Sequence, residues 1–168
     1  MAERPLRYFE LRSRAKYEVE TAISFETGIE SAGFDLPFGG ITPPGLLYVD
    51  AGFVWDGPSG PTIDRKWNLK ASLKHDLLVK LLRHTGFGDP ATHKKRQKLC
   101  DQIYRDTCLE AIDLIWEMMP RRSTWQRLKA STWRRFALRL AALHYRALQI
   151  FGRQAGDIEG EREVRVAV

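Results

Sequence analysis

His75 and Asp76 are adjacent, and Asp101 is the first carboxylate on the next stretch of helical pattern. A histidine held by a buried carboxylate, with a second carboxylate beside it, can activate water or work beside a metal ion. The same arrangement can equally be a buried bond that only ties two helices together. Spacing predicts that the groups meet. Residues 66–84 and 91–117 carry helical periodicity, and between them lies Gly86-Phe87-Gly88-Asp89-Pro90, with Asp89 suited to an N-cap and Pro90 to a first helical position. A loop that short makes the helices antiparallel neighbours. Residues equidistant from its centre then lie level, and the midpoint of 75 and 101 is Gly88. His75 and Asp101 are therefore expected to face each other at about the same height, as a candidate catalytic pair or as a structural bond.

The flanking residues agree. His75 shares a stripe with Ala71, Leu78 and Leu82, and Asp101 shares one with Tyr104, Cys108, Ile112 and Ile115. Both polar groups should be buried, and a buried carboxylate needs a hydrogen-bonding partner.

The positioning elements read as an α+β domain over residues 1–152 with a tail at 153–168: a small antiparallel sheet in the N-terminal third, then three main helices. Residues 14–27 alternate and carry β-formers, which predicts a strand. Residues 28–45, with Phe38-Gly39-Gly40 and Thr42-Pro43-Pro44-Gly45, read as a loop. Residues 46–54 form a second predicted strand, which can pair with the first. The stretch from Trp55 to Thr62 is too rich in Gly and Pro for a strand or a helix. It is either an ordinary connection or an oxygen-rich loop whose carbonyls, with Asp56, supply hard ligands for Ca²⁺ or Mg²⁺ beside Asp76. The last helix opens with a capping box, Ser123 and Gln126. Its stripe of Trp125, Leu128, Thr132, Phe136, Leu140, Leu143, Ala147 and Ile150 is expected to pack on the helical hairpin, with Gly152 as terminator.

Composition narrows the class. The 168 residues are 43% hydrophobic and 29% charged, a globular balance for one domain. No apolar run approaches the ~20 residues of a membrane span, and Met1 to Arg7 lacks a signal-peptide stretch. The natural expectation is synthesis in the cytoplasm as a soluble protein. Cys100 and Cys108 lie eight residues apart on one predicted helix, ~12 Å along its axis, too far to bridge. Net charge is +6, yet residues 121–153 hold nine basic residues and no acidic one, so that segment is +9 and the remainder −3. The asymmetry points to an anionic partner (lipid surface, protein or nucleic acid) for the last helix, through Arg134, Arg135 and Arg139. There is no P-loop, Gly-x-Ser-x-Gly, Cys-x-x-Cys or His-Glu-x-x-His.

Asp56-Gly57-Pro58-Ser59 with Pro61, then His75-Asp76, then Cys100-Asp101 with Tyr104 and a closing Phe151-Gly152 resemble a family of small tailed-phage and prophage proteins of unknown function. Its pattern is Asp-Gly-x-Ser-x-Pro, His-Asp-x-Leu-Tyr, Ala-Asp-x-x-Phe and an aromatic-Gly end. The resemblance covers roughly residues 46–152, and Val79 stands where the pattern has Tyr. More distantly the same elements are similar to phospholipase A₂. That likeness implies His75 as general base, Asp101 as the acid orienting it, Asp76 as Ca²⁺ ligand, and Asp56 and Gly57 in the metal-loop position. It implies ester hydrolysis on lipid or cell envelope. The rival expectation is a non-catalytic virion, tail-assembly or host-interaction protein that binds other phage proteins or an anionic partner.

Overall fold

The computed structural model describes residues 6–10, 17–29, 33–58, 65–84 and 90–164, with backbone only at 84, 90–93 and 151–164. Seven short strands precede three helices: β1 (Tyr8–Glu10), β2 (Tyr17–Val19), β3 (Ile23–Glu26), β4 (Phe34–Leu36), β5 (Gly39–Thr42), β6 (Leu46–Val49), β7 (Val54–Trp55), α1 (Lys66–His84), α2 (Pro90–Met118) and α3 (Thr124–Val164). The architecture is α+β, as the sequence predicts, with two antiparallel sheets ordered β1-β2-β7 and β3-β6-β5-β4.

Each of the two predicted long strands is bent into two. Their halves still pair with one another: Ile23 opposes Val49 and Phe25 opposes Leu47 in one sheet, and Tyr17 opposes Trp55 in the other. The break in the second strand is a turn at Asp50–Phe53, closed by a 3.3 Å bond from the Phe53 amide to the Asp50 carbonyl, with Gly52 at φ +87°. Val19 closes the corner with two backbone bonds, its carbonyl accepting from the Gly52 amide at 2.8 Å and its amide donating to the Phe53 carbonyl at 2.9 Å.

The segment expected to be a loop contains a strand pair, β4 with β5. Gly39 and Gly40 are strand residues here. A Cβ on Gly40 would lie 2.3 Å from the Phe34 carbonyl oxygen, and one on Gly39 would lie 2.4 Å from that of Tyr48. These glycines permit close approach of backbones rather than a turn.

α1 lies between two cores. Its Leu69, Leu73, Leu77 and Leu81 pack on Val19, Phe25, Ile41, Leu47, Val49, Phe53 and Trp55 of the sheets. Its Trp67 and Ala71 pack on Tyr104, Cys108 and Ile112 of α2 and on Ala137, Ala141 and Leu148 of α3. From Trp67 to Leu82 only Lys70, Asp76 and Lys80 escape full burial.

α3 opens with the predicted capping box: the Gln126 amide donates to Ser123 Oγ at 3.2 Å, and the Ser123 amide to Gln126 Oε1 at 3.1 Å. Its packed face, however, is not the predicted one. Ala130, Ala137, Ala141, His144 and Leu148 are buried, while Trp125, Leu128, Phe136, Leu143 and Ile150 are exposed. The bulk at this interface comes from Trp67 and Tyr104, so α3 contributes small residues. Nor does Gly152 end the helix, which runs to Val164. One helical glycine costs only about 1 kcal/mol, and no proline follows it. Among the described residues no helix is long and apolar enough to cross a membrane. The loop at 85–89, with Asp89, lies outside the described residues.

Replacing Gly40 with Ala should lower stability by about 1–3 kcal/mol through overpacking against the Phe34 backbone. Urea unfolding of the variant against wild type measures this.

Candidate functional site

The helical hairpin meets at the expected register. His75 Nε2 donates to Asp101 Oδ1 at 3.0 Å, and Asp76 Oδ1 lies 3.4 Å from His75 Nδ1. The imidazole thus sits between two carboxylates. His75 and Asp101 are only 6% and 4% exposed, whereas the Asp76 side chain keeps 20% of its surface open. Burial alone would push the His75 pKa down. The hydrogen bonds to Asp101 and Asp76, and the charges of both, outweigh it and raise it to about 9. The two flanking acids thus favour the protonated imidazolium form of His75.

Asp101 has further partners. Gln149 of α3 donates to its Oδ2 at 2.7 Å, and Gln97, one turn earlier on α2, to its Oδ1 at 3.3 Å. The first of these ties all three helices into one buried cluster. Gln97 was legible in the sequence as the residue four before Asp101. Gln149 was not, because its position depends on the register of α3.

Tyr104 of α2 lies against both buried histidines. Its ring meets His75 edge-on at 5.9 Å, and its hydroxyl lies 3.5 Å from His144 Nδ1. His144 is a buried residue that the sequence did not flag. It stacks on Trp67 at 5.7 Å, and Asn68 Nδ2 donates to its Nδ1 at 3.4 Å. Burial lowers its pKa, so it is neutral. Asn68 also caps α1, its Oδ1 accepting the Arg65 amide at 2.8 Å.

On the other side of α1, Trp55 Nε1 donates to Ser72 Oγ at 3.1 Å. Of the next residues, Asp56 is exposed and Gly57 is buried. Residues 59–64, the rest of the candidate metal loop, lie outside the described residues. Among the described residues no three His, Cys, Asp or Glu side chains group to hold a metal. Carboxylates such as Asp76 and Asp56 and a backbone carbonyl such as that of Gly57 are donor types that a hard cation takes.

The three arginines differ. Arg134 is engaged, with Nε and Nη2 donating to Asp113 Oδ1 at 2.9 and 2.7 Å and its guanidinium over Trp116. Arg135 and Arg139 are exposed. Cys100 and Cys108 are free and buried, and burial raises both thiols to about 12, which makes them inert. A polar cavity of about 390 Å³ lies between β3, α1 and α2, lined by Glu26, Lys74, Asp106, Thr107 and Glu110 and not by the His75 cluster.

No family model, curated protein or solved structure matches the chain.

The raised His75 pKa has a stability consequence. The folded state binds this proton more tightly than the unfolded chain, whose histidine titrates at its ordinary value near 6.5. The contribution is full below that value and is lost as pH rises through about 9. Wild type should therefore lose stability relative to His75→Gln across that window, measured by denaturant unfolding at stepped pH. A difference that stays flat would contradict the imidazolium assignment.

Proposed function

We propose that the protein is a phage- or prophage-type ester hydrolase with a phospholipase-like site, acting on an anionic lipid or a cell-envelope ester. His75 is the general base for water, and Asp101 orients it. The observation that carries this reading is the 3.0 Å bond from His75 Nε2 to Asp101. It fixes one nitrogen and leaves Nδ1, on the more open Asp76 side, as the atom that takes a proton. Asp76, Asp56 and the Gly57 carbonyl would hold Ca²⁺, which when bound supplies polarisation of the ester carbonyl. The order of the Asp-Gly, His-Asp and Cys-Asp motifs supports the phage-type assignment.

A base must be neutral before it can act. Hydrolysis of vesicle lipid should rise with pH up to about 9, where His75 loses its proton. Calcium titration followed by calorimetry should show binding in wild type and its loss in Asp76→Asn. No heat at millimolar calcium would remove the metal from the reading.

A second reading is favoured by one observation: the enclosed Asp101 also receives Gln149, so the cluster fastens three helices. In that case the protein is a non-catalytic virion, tail-assembly or host-interaction protein. His75→Ala separates the two. The hydrolase reading requires activity to vanish with the fold retained. The structural reading requires an inactive wild type and a stability loss of about 1–3 kcal/mol from the partner left unsatisfied.

A further inference from the structure

The outer face of α3 carries five large apolar side chains that the fold leaves uncovered. Trp125, Leu128, Phe136, Leu143 and Ile150 are 63, 55, 58, 59 and 63% exposed. On a helix they share one face and span roughly 38 Å. Isolated exposed apolar residues are ordinary, but five on one helix face, recurring about every two turns, make a candidate contact surface. Its flanks are all of one sign. Lys129, Arg135, Arg139 and Arg146 are exposed along the same helix, and no acidic residue occurs between 121 and 153. Lys129 lies over the Trp125 ring at 5.1 Å, so the basic and apolar groups are already interleaved.

We infer that this face of α3 adsorbs to the headgroup–acyl boundary of an anionic lipid bilayer. The charge pattern chooses the occupant. A second copy of the chain would set arginines against arginines, with no acidic residue on this stretch to meet them. A nucleic acid would use the arginines but leave Leu128, Phe136, Leu143 and Ile150 against phosphates. A lipid interface takes both: apolar side chains enter the acyl boundary while the long basic side chains reach up to the headgroups. The packed face of α3, with Ala130, Ala137, Ala141 and Leu148, stays on the protein. Adsorption therefore asks for no unfolding. The inference stands on α3 alone and does not require His75 to be catalytic.

The test uses the full chain with vesicles of phosphatidylcholine, either pure or containing about 30 mol % phosphatidylglycerol. Wild type should co-sediment with the anionic vesicles and not with the neutral ones. Partitioning should fall about tenfold or more in a variant combining Phe136→Gln and Leu143→Gln, and likewise in one combining Arg135→Glu, Arg139→Glu and Arg146→Glu. All five positions are exposed or lie on the exposed face, and circular dichroism checks that both variants fold. Wild type that ignores anionic vesicles overturns the inference. So does adsorption insensitive to the two glutamines but lost with charge reversal, which, with tight binding to a DNA duplex, would mark a nucleic-acid surface. A stable dimer in size-exclusion chromatography, made monomeric by the glutamines and inert to vesicles, would assign the face to a second copy instead.

Discussion

The fold depends on α1 being enclosed on nearly every side while carrying polar residues. Asn68, Ser72, Lys74 and His75 are all buried on this one helix. Buried polar groups must find partners, and the partners come from different elements. Ser72 is met by Trp55 of β7, Asn68 by His144 of α3, and His75 by Asp101 of α2. Lys74 lies 4.9 Å over the ring of Phe25 on β3. Apolar burial supplies the driving force for collapse, but it is nondirectional. The polar belt specifies how the sheets, α2 and α3 are rotated about α1, because a wrong rotation would leave a charge or a donor unsatisfied in the core.

Two readings of the His75 cluster compete. An imidazole between two carboxylates is strongly held as a cation, which favours a fastening. A base must give that proton up. What keeps the chemistry in view is the asymmetry of the two carboxylates. Asp101 is enclosed, with two glutamines fixing its oxygens, and Asp76 is more open and makes the longer contact. A close, enclosed partner on one nitrogen and a longer, more open contact on the other is the arrangement that would orient a base.

α3 shows how a helix can be apolar on two faces for different reasons. Its inner face is built from alanines because Trp67 and Tyr104 already fill the space. Its outer face holds the larger side chains, and the arginines around them keep that surface from being a simple core. Read by periodicity alone, the larger stripe is the one assigned to the interior.

Local pattern by itself determined much of this protein. The three helices, the hairpin register that sets His75 opposite Asp101 and the capping box at Ser123 all follow from spacing, because helix period, loop length and cap chemistry are short-range properties. Several features belong to tertiary structure alone. Which face of α3 turns inward was decided by the volume of Trp67 and Tyr104 across the interface. Gly39 and Gly40 are strand residues because of how closely Tyr48 and Phe34 approach them. The partners that brace Asp101 include Gln149, 48 residues away, and the charge state of His75 follows from the two carboxylates and the burial it finds there. Sequence fixes period and chemistry along the chain, whereas steric fill and electrostatic environment exist only once distant segments meet.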